Sequence, residues 1–246
     1  MTTALLSGRV LVTGASRGIG AATARAVAEA GGAPVLHYGQ GRDEAHALAA
    51  DLGVPERDVL CADLAEPHAG TRLFGRAGVV TGLVNNAGIY AASPLAASDD
   101  AWAAEWARTL AVNLQATADL CRAAINDWGT RGGAIINIAS RAGQRGDGPD
   151  HSAYAASKGG VLALTKTLAR AHAGDGVRLY AIAPGWVATR MAQRDPDEMK
   201  RQSAEVPLGR FAGPEEVAAL AVFLLSDACP SATGATFDVN GASYVR

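Results

Sequence analysis

The sequence predicts an α/β protein with an open, doubly wound sheet of about seven parallel strands and helices on both faces. Three observations carry this. Seven short runs rich in Val, Ile and Leu recur along the chain, each ending in a turn or polar residue, as strands buried on both faces do. Longer stretches of helical character separate them, and strand–helix alternation implies right-handed crossovers and a parallel sheet. No internal repeat, low-complexity linker or shift in composition divides residues 1–246, so one dinucleotide-sized domain is expected.

The strand runs are RVLVTG (9–14), PVLHYG (34–39), DVLCAD (58–63), GLVNNAG (82–88), AIINIAS (134–140), VRLYAIAPG (177–185) and ATFDVNG (235–241). Pro34 is tolerable because it stands at the start of a strand. Helices are expected over 18–31, 42–52, 66–77, 99–128, 152–173 and 214–226. Ser98 or Asp99 can cap the fourth. Gly213, Pro214, Glu215 and Glu216 give the last one a proline and two acids in its first turn, where the missing N–H costs little and the dipole favours anions. Residues 186–213 break the rhythm. They are long, charged and punctuated by Pro196 and Pro207, and they leave the carboxyl end of a strand, where ligands bind in such sheets. A substrate lid is expected there.

Charge and composition exclude several classes. The formal net charge is −2 with a pI of about 6.2, so no basic excess suggests a nucleic-acid partner. Cys61, Cys121 and Cys229 make neither a C-x-x-C pair nor a disulfide framework. No apolar run reaches the roughly 20 residues that span a bilayer, and the first residues lack the pattern of a secretory signal. A cytoplasmic location with no membrane partner is expected. The five histidines show no ligand spacing, so no metal site is expected.

TGASRGIG follows the first strand and opens a helix. Gly14, Gly18 and Gly20 can permit a tight turn and close backbone approach to a pyrophosphate, with N–H donors and positive dipole from the helix. This makes the expected sheet Rossmann-like. An NAD site usually places an acid about 20 residues beyond the turn. Here Tyr38 and Gly39 fall at that point, while Arg17 and Arg42 flank it, a pairing suited to a 2′-phosphate. NADP(H) is therefore expected over NAD(H), unless the two arginines are ordinary surface charges. Asp63 can accept from an adenine amino group or simply cap the next helix. Asn85, Asn86, Ala87 and Gly88 form a small, turn-prone strand end that can pass beside a cofactor.

Tyr154 and Lys158 stand four apart in HSAYAASKGG, on one helical face. A phenol of ordinary pKa near 10 is a weak acid at neutral pH, and a close ammonium lowers that value. Ser140, ending the fifth strand, can hydrogen-bond a carbonyl oxygen on which charge develops. Asn113 can bridge Lys158 to water. Each residue alone also has an ordinary structural reading; together, and in this order, they point to a site.

TGASRGIG, NNAG, Asn113, Ser140, YAASK, PGWVAT, PLGRFAGPEEVA and FDVNGASYV span nearly the whole chain and resemble the short-chain dehydrogenase/reductase family of the single-domain type. The resemblance implies that Tyr154 is the general acid in carbonyl reduction and the base in alcohol oxidation. It implies that Lys158 also holds the nicotinamide ribose, that Ser140 orients substrate and that Asn113 anchors a proton relay. It further implies a cofactor cradle of Gly14, Ser16, Arg17, Gly18, Ile19, Gly20, Tyr38, Arg42, Asp63, Leu64, Asn86, Ala87, Gly88, Tyr154, Lys158, Pro184, Gly185, Val187 and Thr189. A homotetramer is implied as well. The look is closest to 3-oxoacyl-acyl-carrier-protein reductases, so the expected activity is NADPH-dependent reduction of a ketone to a secondary alcohol. A dehydrogenase of a sugar, steroid or other small secondary alcohol is the alternative, and a non-catalytic NADP-binding sensor or scaffold a third reading. Two departures stand out. The loop from Ser140 to Tyr154 is one residue longer than in many relatives, and Tyr180 replaces an asparagine. The substrate determinants are placed at Tyr90, the 141–152 loop, Trp186 and the 190–212 segment.

Overall fold

The computed structural model describes residues 6–189 and 196–245. Seven strands form one sheet: β1 (Arg9–Val12), β2 (Ala33–Tyr38), β3 (Val59–Cys61), β4 (Gly82–Asn85), β5 (Gly133–Ile138), β6 (Val177–Pro184) and β7 (Thr236–Val239). Their spatial order is β3-β2-β1-β4-β5-β6-β7 and every pairing is parallel. The chain starts in the middle, winds outward through β2 and β3, then returns to β4 and winds the other way. The reversal between β1 and β4 is the place where open parallel sheets bind ligands.

The helices are α1 (Gly18–Glu29), α2 (Arg42–Leu52), α3 (Ala69–Ala77), α4 (Asp99–Leu110), α5 (Ala116–Trp128), the short α6 (Ala142–Arg145), α7 (Ser152–His172), α8 (Pro196–Ala204) and α9 (Pro214–Leu225). Strand side chains alternate between two cores, as a period of two requires. Val10, Val12, Val84, Ile136 and Tyr180 join Val27 of α1, Leu48 of α2 and Leu224 of α9. Leu11, Leu83, Ile135 and Leu179 join Leu73 of α3, Leu120 of α5 and Ala169 of α7 on the opposite face. Tyr180 is fully buried in the first of these cores and tilts against Phe237.

The expected helix over 99–128 divides into α4 and α5 around a π-helical segment, Ala111–Gln115. Nothing in its hydrophobic pattern marks the extra residue. Ser98 caps α4 by accepting from the Ala101 N–H at 3.4 Å. At α9 the acid at the third position turns back, and Glu216 Oε1 accepts from the Gly213 N–H at 2.7 Å. The 186–213 insertion leaves β6 and returns to α9. Its two ends are tied by the Ala188 N–H to the Ala212 carbonyl and by the Ala212 N–H to the Trp186 carbonyl, at 2.9 and 3.0 Å. It also contains α8, hidden in the sequence by its charge. Residues 190–195 of the expected lid lie outside the described residues.

A polar chain crosses the second core. Asn85 of β4 donates to Asn137 of β5 at 2.8 Å, and Asn137 donates to Thr165 of α7 at 2.9 Å. Cys121 of α5 closes the group, and burial pushes its thiol up to about 12. That thiol is an inert packing group.

Candidate functional site

The strand ends at the β1/β4 reversal open into one cleft of about 1150 Å³. Its floor is the glycine turn. Gly14 and Gly18 have φ of +65° and +56°, which side chains with a Cβ rarely adopt. A Cβ on Gly20 would overlap the Gly14 carbonyl oxygen, so α1 approaches the turn more closely than any other residue allows. A Cβ on Gly18 would press on Thr189, at 3.1 Å.

Neighbouring strand ends hold the turn. Asn86 Nδ2 donates to the carbonyls of Thr13 and Gly14 at 2.8 and 3.2 Å, and Thr13 Oγ1 accepts from the N–H groups of Asn86 and Ala87. His37 is the support that the sequence does not reveal. Its Nδ1 accepts from the Gly14 N–H at 3.2 Å, which leaves the proton on Nε2, 3.1 Å from the Ala62 carbonyl. Burial holds its pKa down at about 4, so the ring is neutral and joins β1, β2 and β3 at their carboxyl ends.

Gly14, Ser16, Arg17, Gly18, Ile19, Asp63, Leu64, Asn86, Ala87, Gly88, Pro184, Gly185, Val187 and Thr189 all line the cleft, with Ser140, Tyr154 and Lys158. Asp63 also takes the Ala65 N–H at 2.9 Å, so it shapes its own turn while facing the cleft. Gly20 acts by its closeness to Gly14 and lies beneath the lining. Two expected cofactor residues are elsewhere. Tyr38 is buried, edge-on to His46, and Arg42 is exposed at the start of α2, outside the cleft lining though between Gln40 and Glu44, which belong to it. Strand alternation is the reason: His37 points to the glycine turn, so its neighbour Tyr38 points to α2. In their place the cleft is lined by Gln40, Arg25 and Glu44. Arg25 is engaged by Asp51 at 3.0 Å, whereas Arg17 lines the cleft exposed and with no ion pair among the described residues.

At the other end Ser140, Tyr154 and Lys158 share one wall. Ser140 follows β5, and its Oγ accepts from the Ala142 N–H at 3.1 Å and hydrogen-bonds with Tyr154. Lys158 is 5% exposed. Its Nζ donates to the Ile138 carbonyl at 2.8 Å and lies 5.8 Å from the centroid of the Tyr154 ring. Burial pulls the ammonium down to about 8 and pushes the phenol up to about 12, with the Ser140 bond working against the latter. Burial is the largest influence on the phenol, and the Lys158 ammonium lies over the Tyr154 ring while donating to the Ile138 carbonyl.

Asn113 sits in the π-helical segment, 1% exposed. Its amide pairs with the backbone of Ile89 in both directions, at 2.8 and 3.0 Å, and donates to Ser157 Oγ at 3.1 Å. Both polar atoms of the side chain are therefore engaged by protein partners. What it does is join the strand-end segment after Gly88 to α7, one turn from Tyr154. A Cβ on Gly88 would lie 3.2 Å from Asn113 Oδ1, a tight contact, and 3.5 Å from Lys158 Nζ, an ordinary one, so it is the asparagine that crowds this position.

The mouth is aromatic and cationic. Tyr90 stacks on His151 at 4.0 Å with rings 3° from parallel, and meets Tyr154 edge-on at 4.8 Å. His151 backs the wall that Tyr90 makes. The carbonyl of Asp150 accepts from the Ser93 N–H at 2.6 Å and ties the 93 loop to the start of α7. Trp186 follows, with Arg141 5.7 Å from its ring centroid. Arg108, Arg145 and Asp147 complete the lining.

A glycine cradle that any Cβ would fill, with a helix N-terminus behind it, fits the pyrophosphate of a dinucleotide. The comparisons with known proteins agree with this fit. The family described as Enoyl-(Acyl carrier protein) reductase matches residues 14–242. The chain is 38% identical to a D-threitol dehydrogenase of Mycolicibacterium smegmatis, over 98% of this chain and 95% of that one. It is 34% identical to a 3-oxoacyl-acyl-carrier-protein reductase of Staphylococcus aureus, over 96% and 97%. The crystal structure of a putative NAD(P)-dependent gluconate 5-dehydrogenase from Beutenbergia cavernae, with NADP bound at low occupancy, superposes with a TM-score of 0.88. It shares 34% identity and covers 98% of each chain.

Proposed function

The chain belongs to the short-chain dehydrogenase/reductase family of NAD(P)-dependent oxidoreductases, and from that premise we propose that it interconverts a ketone and a secondary alcohol with Tyr154 as general acid and base. The observation that carries this is the shared wall of Ser140, Tyr154 and Lys158 beside the glycine cradle. A nicotinamide bound in the cradle supplies or accepts the hydride. Tyr154, protonated at neutral pH, gives its proton to the carbonyl oxygen during reduction and takes one from the alcohol during oxidation. Ser140 orients that oxygen by a hydrogen bond that strengthens as charge grows on it. Lys158 holds a positive charge beside the phenol and stabilises it as the proton leaves. Asn113 keeps the Gly88–Ile89 segment at a fixed distance from α7.

The cofactor is NADP(H) in preference to NAD(H). Arg17 without an ion pair and the absence of an acid at Tyr38–Gly39–Gln40 support this; Glu44 is the group that opposes it. A 3-oxoacyl thioester or a small polyol or its ketone is the substrate range to test, in a cytoplasmic homotetramer. NADPH oxidation over a panel of ketones and acetoacetyl thioesters tests the reading. Tyr154→Phe is expected to lower turnover by about 10²–10⁴-fold, with NADPH affinity by fluorescence within a few-fold. Unchanged turnover removes Tyr154 from the chemistry, and a higher kcat/KM for NADH removes the cofactor preference.

A further inference from the structure

We propose that the substrate carries a carboxylate, and that Arg141 binds it beside the reacting carbon. This rests on the oxidoreductase reading and adds the substrate class to it. Arg141 directly follows Ser140 at the head of α6, and its backbone is fixed by the Arg141 N–H to the Pro184 carbonyl at 2.9 Å. The residue is 6% exposed, yet it lines the cleft with Ser140 and Tyr154. Its Nη1 is buried with no hydrogen-bond partner, and among the described residues it has no ion pair.

A buried guanidinium without a counter-charge is costly, and proteins keep one where an anion completes it. Nothing nearby does so. Asp147 lines the mouth, but it is exposed and its Oδ1 accepts from the Gly148 N–H at 2.9 Å. Burial lowers the pKa of Arg141 and Arg145 opposes its charge, while Asp147, Glu205 and Tyr90 act on it only at a distance. The ring of Trp186 places the guanidinium plane without neutralising it, and Trp186 Nε1 is itself buried and unpartnered. Arg145 and Arg108 add positive charge to the same mouth. A planar fork with a second N–H close by suits the two oxygens of a carboxylate. A site built this way rejects the neutral isostere, because the cation is then left unpaired.

The test is a matched pair, 4-hydroxypentanoate and 4-hydroxypentanamide, oxidised with NADP+. The wild-type kcat/KM is expected to favour the acid by about 10²-fold or more. Arg141→Lys should keep part of that ratio, and Arg141→Met should bring it near one. Calorimetric titration of pentanoate against pentanamide gives the same contrast without turnover. Equal affinity for the two in the wild type overturns the proposal, as does an acid preference that survives in Arg141→Met with unaltered NADPH binding. Should Arg141→Met fail to fold, the wild-type contrast decides alone. If neither alcohol is oxidised, the oxidoreductase reading suffers, while the titration still judges the anion site.

Discussion

Around the glycine turn, Thr13, His37 and Asn86 spend their polar atoms on backbone groups of neighbouring strand ends. Around the mouth, Arg141, Gln144, Ser152 and Trp186 each bury a polar atom that has no partner among the described residues. The same cleft thus joins a region complete in itself to one whose polar atoms exceed their partners. The first kind of region holds backbone in one geometry for a ligand part that never varies. The second leaves donors and acceptors unspent around Ser140 and Tyr154. Fold-level likeness therefore speaks to the turn and much less to the mouth.

Three substitutions can break or sharpen that contrast. The largest effect is expected of Gly20→Ala. The added methyl meets the Gly14 carbonyl oxygen, which cannot move without disturbing Asn86. A loss of about 3 kcal/mol is expected from overpacking, with NADPH affinity falling in parallel; a thermal melt together with a fluorescence titration measures both. An unaltered melt would mean that the turn is looser than its contacts imply.

The next concerns pH. His37 has a folded pKa of about 4 against an ordinary 6.5, so the unfolded chain binds the extra proton first. The stability it contributes is fully present above pH 6.5 and is lost as pH falls towards 4, a change on the order of 3 kcal/mol. Urea unfolding of the cofactor-free protein across that range should show the slope, and His37→Gln should flatten it. A slope that persists in the variant would assign it to other groups. The smallest effect belongs to the mouth. Ser152 Oγ is buried without a partner, so Ser152→Ala should change stability by less than about 1 kcal/mol, in either direction. A larger loss in the same urea assay would mean that this hydroxyl is already satisfied and the contrast overdrawn.

The sheet was legible because each strand is a short Val- and Ile-rich run closed by a turn residue, and the glycine turn because Gly14, Gly18 and Gly20 have few other uses at that spacing. Tyr38 lies outside the cleft lining for a reason that sequence spacing hides. Being near a strand end does not say which way a side chain points, and a shift of one residue reverses it. His37 escaped notice because histidines are sought as ligands or bases, whereas this one works as a neutral donor and acceptor between backbones. Arg141 looked like any loop arginine, since burial is invisible in a charged and glycine-rich stretch. Helix α8 and the π-helical segment leave no hydrophobic period to read.

Thr13 and Asn86 touch across 73 positions of chain, and His37 reaches back to Gly14 across 23. The nucleotide cradle is therefore a non-local object. No single hairpin or helix pair can form it, and loop-closure entropy must be met before any of its bonds exist. Regain of cofactor affinity during refolding will mark the arrival of the central strands in register. By mass action, a bound dinucleotide will in turn stabilise the whole central sheet.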